Sequence, residues 1–322
     1  MINDTAFQTL NRLLVHIDGA YAPNTLRAYK ADMLEFIAYC DKTGRRALPA
    51  EPKTVAGFLM QTVPQGIKSS TIRRKVSSIS AIHRLSSLED PTKHSEVRII
   101  QRKIYRQLGT RFDQAYPITR GLLTRLLAAC EDDLHGVRDR ALLLVAYDSM
   151  RRRTELISLR AEDIEWIPDA GASILLRKSK TDQQGCGKWI HLTIESTQAL
   201  HQWLSAAKIN GGLIFRGVRS AGLVTDGLCE SRVSRIYKTL ARKAGLSESI
   251  IKNISGHSMR VGGAHDLLNT GATLPQIMVK GLYFQFKLHI SPILIGLTRC
   301  NCMNLENLFI LQRRLSSVIE QI

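Results

Sequence analysis

SGHSMRVGGAHDLLNTGATLPQIM, residues 255–278, is the stretch on which the reading of this chain turns. Ser258 to Asn269 follow helical spacing, and His257 and Arg260, three apart, fall on one face of such a helix. Upstream, SMRRRTELISLRAEDI (149–164) follows an apolar helix and carries three consecutive arginines. Either segment alone reads as an ordinary solvated basic patch. An arginine fork, however, stays charged and grips phosphate in two places. Metal-free phosphodiester chemistry needs such fixed cations on the non-bridging oxygens, together with an acid for the leaving oxygen and a nucleophile.

The rest of the composition agrees with a polyanionic partner. Of 322 residues, 45 are Lys or Arg against 28 Asp or Glu, a net charge of +17. A surface that basic attracts nucleic acid or an anionic membrane. The apolar run Ala141–Tyr147 is too short to cross a bilayer, and the first residues lack the apolar block of a signal peptide. Six scattered cysteines fit reduced thiols, so a cytoplasmic protein is expected, with no membrane partner. No phosphate-binding glycine loop and no zinc-protease motif is present. Cys300 and Cys302 have no second ligand pair, and Glu131, Asp132 and Asp133 point in different directions on a helix. No metal site and no cofactor is expected.

The fold class is mainly α with a small β-sheet (α+β). Residues 1–108 read as a helical domain, 109–118 as a linker, 119–280 as a mixed α/β domain, and 281–322 as an atypical tail. Asn24–Cys40 is helical, with Asn24 as N-cap and Arg27 and Lys30 on its polar face. The helix after Ser69-Ser70 buries Ile72, Val76, Ile79, Ile82 and Leu85, and its polar side carries Arg73, Arg74 and Lys75 beside Thr71. QLGTRFDQAYP (107–117) loses periodicity and ends in proline, which marks the linker. Ala172–Arg177 and Lys188–Thr193 read as a β-hairpin around a long polar loop, and helices follow at 196–207, 230–244 and 258–269.

In this order, the segments resemble the tyrosine recombinase (phage integrase) family. That family's first box runs T-G-x-R-x-x-E-L-x-x-L-x-x-x-D-I. Here Arg152, Glu155, Leu156, Leu159, Asp163 and Ile164 fill it, while Met150 stands where the family has glycine. The second box, His-x-x-Arg, gives His257 and Arg260, and the hairpin lysine matches Lys180, with Lys178 as the alternative register. PNTLRAYKADMLEFIAYC, LPAEPKTVAGFL and SSTIRRKVSSISAIHRLS follow the family's helical core-binding domain, so the likeness covers roughly residues 20–283.

The resemblance implies a clamp around double-stranded DNA and attack by a tyrosine on the scissile phosphate. The products are a 3′-phosphotyrosyl link and a free 5′-hydroxyl, without ATP or metal. It implies that Arg152 and Arg260 clamp the phosphate and that Lys180 protonates the leaving oxygen. His257 and Glu155 order the site and assist proton movement. Arg27, Lys30, Thr71, Arg73, Arg74 and Lys75 are the candidate DNA contacts, and a homo-oligomer, a tetramer on paired DNA sites, is the family's assembly.

The nucleophile departs from the pattern. In QIMVKGLYFQFKLHISPI (276–293), Tyr283 occupies the family's His/Trp position, and Pro292 stands where the tyrosine belongs. The likeness stops at Lys280-Gly281, where the charged fraction also drops. Three readings stay open: a frameshifted or truncated gene that leaves cleavage impaired, attack by Tyr283 from a rearranged segment, or a non-catalytic sequence-specific DNA-binding or regulatory relative. The sharpness of the break and the filled upstream positions favour the first. The altered tail also puts the tetramer in doubt.

Overall fold

The computed structural model describes residues 3–109, 114–179, 187–220 and 222–281. The chain divides into two compact units, Met1–Asp113 and Gln114–Ile322. The architecture is the expected one, mainly helical with a small antiparallel sheet.

The first unit contains α1 (Asp4–His16), α2 (Pro23–Thr43), α3 (Pro52–Thr62), α4 (Ser69–Leu85) and α5 (Ser95–Leu108). Helix α2 packs on α4 and α3 on α5, around Leu10, Met33, Phe36, Phe58, Leu59, Ile72, Ile79 and Ile104. Helix α2 starts before the expected Asn24: Ala22 is the N-cap and Pro23 sits at N1, where a missing N–H costs nothing. It stops at Gly44, whose φ of 66° is left-handed.

Helix α4 corrects one expectation. Three consecutive residues sweep about 200° around a helix, so Arg73, Arg74 and Lys75 cannot share one solvent face. Lys75 lies three residues after Ile72, on the core stripe, and is only 2% exposed. Its ammonium crosses the Phe58 ring at 5.3 Å and pairs with Glu35. Arg74 is exposed but tied at 2.8 Å to Asp32, a buried carboxylate that Ser78 also donates to at 2.7 Å.

At the end of this helix His83 is fully buried. Its Nε2 accepts from the Ala50 N–H at 3.0 Å, so the proton sits on Nδ1, which donates to the Ile79 carbonyl at 2.8 Å.

The second unit contains α6 (Arg120–Ala128), α7 (Leu134–Ser149), α8 (Arg153–Ile157), β1 (Ile164–Ile167), β2 (Gly171–Leu176), β3 (Lys188–Leu192), α9 (Ile194–Ala206), α10 (Glu230–Lys243), α11 (Glu248–Asn253), α12 (Ser258–Asn269) and α13 (Leu274–Gly281). Helix α7 is the centre: Ala141 to Ala146 are all buried, and α9 packs along it. The strands form a meander in the order β1-β2-β3, with Ile174 paired to Ile164 and Ile190. Strand β1 was not foreseen; it is largely exposed and lacks the alternation that marks a half-buried strand.

Asp148, near the end of α7, accepts from the Thr193 N–H and hydroxyl and from the Ser196 hydroxyl, which ties α7 to the start of α9. Tyr116 and Ile118, read from sequence as linker, belong to this unit: their N–H groups donate to the carbonyls of Asn253 and Ser258 at 2.9 and 3.0 Å, and Ile118 is fully buried.

The neutral His83 makes a pH prediction. Burial pushes its pKa below the usual 6.5. The unfolded chain therefore takes up a proton first on acidification. The stability carried by the neutral ring is complete above about pH 6.5 and is lost as the pH falls through the folded value. Urea midpoints should drop between about pH 7.5 and pH 5.5, with faster hydrogen exchange at the Ala50 amide. A His83→Gln variant should show a flatter dependence at both readouts.

Candidate active site

The site begins where α7 ends. Met150, its C-cap, has φ 51° and ψ 30°, a left-handed conformation. For a non-glycine residue that conformation costs about 1–2 kcal/mol, which explains why a glycine suits the position. Here the Met150 side chain is buried, at 1% exposure, and is packed against Gly263 of α12. The left-handed turn brings the Met150 carbonyl toward α12, where Arg260 Nη1 donates to it at 3.0 Å. Arg260 is itself only 4% exposed.

Two residues later Arg152 is the N-cap of α8. Glu155, at N3, accepts from the Arg152 backbone N–H at 3.1 Å and from its Nη1 at 2.7 Å. This is the carboxylate half of a capping box, and it fixes the guanidinium from the helix start. Burial alone would push the Glu155 carboxyl up. The hydrogen bonds from Arg152, with the charges of Arg152 and Arg151, outweigh it and hold the group below its usual value. Glu155 is therefore charged. The Arg152 side chain keeps 22% exposure, with its remaining N–H donors available to an anion.

The flanking arginines, read from sequence as one solvated patch, do different work. Arg151 is 4% exposed; its Nε donates to the Ser149 carbonyl at 2.7 Å and its Nη2 to the Lys280 carbonyl at the end of α13. Arg153 reaches Glu230 of α10 at 3.5 Å, and its aliphatic stem lies over Gly256 so closely that a Cβ there would sit 2.8 Å from Arg153 Cδ.

The next residue, His257, is the exposed N-cap of α12, and its N–H donates to Ser255 Oγ at 3.2 Å. The two sequence boxes thus meet at three places, Arg260 on the Met150 carbonyl, the Met150 side chain on Gly263, and Arg153 over Gly256.

The remaining candidates are spread more widely. Lys178 is exposed just past β2, and Arg177 beside it forks onto Asp163 at 2.7 and 2.8 Å, anchoring the strand end. Lys180 and Tyr283 lie outside the described residues. In the first unit Arg27 and Lys30 are exposed on α2, Thr71 is half-buried, and Arg73 lies 5.4 Å over the Tyr105 ring of α5. Sequence reasoning passed over Arg151, Arg153 and the glycine pair 262–263. The glycines did carry a signal, since two in mid-helix are unfavourable unless another backbone must come close. The described residues contain no metal-binding cluster and no helix long and apolar enough to cross a membrane.

A helical unit followed by a unit whose arginine boxes converge on one turn defines a recognisable class. The chain belongs to the phage integrase family: residues 118–280 match that family's model, and residues 13–89 match the phage integrase N-terminal SAM-like domain. It is 32% identical over 259 residues to an integrase/recombinase XerD homolog of Selenomonas ruminantium, covering 77% of this chain and 74% of that one. It is 25% identical over 278 residues to the Cre recombinase of Escherichia phage P1, covering 81% of each chain. Among solved structures, the Tn1549 transposon integrase in complex with transposon right-end DNA shares the fold at a TM-score of 0.64 and 15% identity, over 96% of this chain and 98% of that one.

The packing between the boxes predicts an order of stabilities. A Cβ at position 262 would lie 1.8 Å from the Ile118 carbonyl oxygen, whereas one at 263 would meet the flexible Met150 Cγ at 3.1 Å. Gly262→Ala should cost more than about 2 kcal/mol and Gly263→Ala clearly less. Met150→Gly relieves about 1–2 kcal/mol of backbone strain but removes a buried side chain worth about 2–5 kcal/mol, so it should destabilise by about 2 kcal/mol at the midpoint of those ranges. Urea unfolding of the three variants checks the ranking.

Proposed function

We propose that this chain is a tyrosine-type site-specific DNA recombinase whose strand-cleavage step is impaired. The observation that carries the reading is the convergence at Met150. Arg260 is held on its carbonyl, and Arg152, two residues on, is held by a charged Glu155. Two fixed guanidiniums brought to one turn suit a phosphodiester whose charge grows during attack. Arg152 and Arg260 grip the non-bridging oxygens, and Glu155 positions Arg152. His257, at the mouth of α12, assists proton movement. In the full reaction a tyrosine oxygen bonds to phosphorus as the bond to the 5′ oxygen breaks, and Lys180 gives that oxygen its proton. The tyrosine is the element that departs from the pattern: Pro292 stands at its expected position and Tyr283 lies nine residues earlier. The DNA partner is recognised through Arg27, Lys30, Thr71, Arg73 and Arg74. Lys75 is left out, being buried on Glu35 and Phe58. A homo-oligomer on paired sites is the assembly proposed. A second reading, a DNA-binding protein that leaves every phosphodiester intact, is favoured by that same missing tyrosine.

Nicked suicide duplexes drawn from the DNA flanking the gene test whether cleavage survives. A denaturant-resistant protein–DNA adduct that Tyr283→Phe abolishes establishes a recombinase with a displaced nucleophile. In that case Arg152→Ala should lower the rate by about 10²–10³. Retarded DNA without any adduct means a chain that recognises its site and no longer cuts it.

A further inference from the structure

We propose that a cleft in the first unit, between the end of α2 and the start of α3, binds a phosphorylated small molecule of nucleotide size. This goes beyond the function above and does not depend on it. The cleft holds about 560 Å³ and is lined by Gly44, Arg45, Arg46, Glu51 and Thr54, among others. Small-molecule sites occupy roughly 300–1,000 Å³.

The backbone of the cleft is held in place from outside. Gly44 ends α2 with a φ of 66°, and the chain then runs without helix or strand to Glu51, the N-cap of α3. Buried Asn3 donates from Nδ2 to the Arg45 carbonyl at 3.0 Å and accepts from the Ala47 N–H at 2.7 Å. His83 accepts from the Ala50 N–H at 3.0 Å. The stretch 45–50 is therefore pinned at three points, so a ligand meets it already ordered.

The side chains of this pinned stretch are left without partners. Arg45 and Arg46 are exposed, and neither meets a carboxylate or a hydrogen-bond acceptor among the described residues. Thr54, in the first turn of α3, is 2% exposed, yet its hydroxyl makes no hydrogen bond among the described residues. Exposed arginines are commonplace, but a buried hydroxyl without a partner is costly and rare. Thr54 lines the cleft, so a ligand there supplies what it lacks. Two guanidinium forks and a hydroxyl donor match the oxygens of a phosphate, and the positive end of the α3 dipole adds to the same field. Glu51 lines the same cleft and accepts from hydroxyl or amino groups. A phosphate at one end and hydrogen-bond donors at the other is the chemistry of a nucleoside monophosphate.

Adenosine 5′-monophosphate, inorganic phosphate and adenosine are titrated into the full chain at constant ionic strength, with binding read by calorimetry. The monophosphate should bind, phosphate alone more weakly, and adenosine at least about tenfold more weakly. Arg45→Gln combined with Arg46→Gln should weaken the monophosphate by at least about tenfold, and Thr54→Val by about fivefold. Thr54→Val should leave the melting temperature unchanged or raised, because the hydroxyl it removes has no partner in the free chain. Arg12→Gln combined with Lys103→Gln removes the same charge from exposed positions elsewhere in the unit and should leave binding as it was. A dissociation constant weaker than about 10 mM overturns the site. So does monophosphate binding that Thr54→Val leaves untouched. Equal losses in the two double variants mean attraction to the net charge of +17 alone, and the proposal fails. It fails as well if a DNA duplex displaces the monophosphate and loses affinity by the same factor in the Arg45, Arg46 variant, since the arginines then serve a nucleic-acid backbone.

Discussion

Everything at the candidate site depends on how closely α12 can approach the backbone beneath it. Gly262 brings that helix against the Ile118–Thr119 peptide, leaving no room for a methyl group. The approach delivers the Ser258 carbonyl to the Ile118 N–H and Arg260 to the Met150 carbonyl. A helix held even one side chain further away would take the Arg260 guanidinium off that carbonyl, and a buried charge that loses a hydrogen-bond partner costs stability. The glycine is therefore a condition for this contact. Met150 supplies the other half by accepting a left-handed backbone and filling the space beside Gly263.

The charges of the site follow a single logic. A guanidinium is tolerated in the interior when carbonyl oxygens take part of its donor set, as in Arg151 and Arg260, or a carboxylate does, as in Arg152. The first two are structural as much as chemical, since each joins segments far apart in sequence. Arg152 keeps partial exposure, and its partner carboxylate is kept ionised, so it is the arginine best placed to take a ligand. Three adjacent letters in the sequence thus end in three environments, because the turn from α7 into the start of α8 points successive side chains to different sides.

Much of this was legible in the sequence, and the failures have physical causes. The helix periods of α2, α4, α7 and α12, the hairpin, and the two boxes with Arg152, Glu155, His257 and Arg260 all carry local patterns, and the structure brings the boxes together. Strand β1 escaped because its exposed residues do not alternate in polarity. Lys75 was misplaced because three neighbouring cations look like a patch in one dimension, while the helix turns the third one inward. The tie between Arg153 and the turn before His257 joins residues a hundred positions apart, and no spacing rule reports it. The stretch 109–118 read as linker because periodicity stops there before a proline, yet Tyr116 and Ile118 are claimed by the second unit through hydrogen bonds that only the fold creates.

The Met150–Gly263 contact also bears on modular exchange between relatives. The two boxes meet as one piece of packing, a thioether against a bare α-carbon, so neither is a self-contained cassette. A chimera that takes its first box from a relative with glycine at position 150, and its second from this chain, would enclose a void the size of a methionine side chain. The reverse graft, with any larger residue at 263, would force Met150 out of its place and disturb the carbonyl on which Arg260 rests. Successful swaps should therefore carry residues 149–164 and 255–278 together.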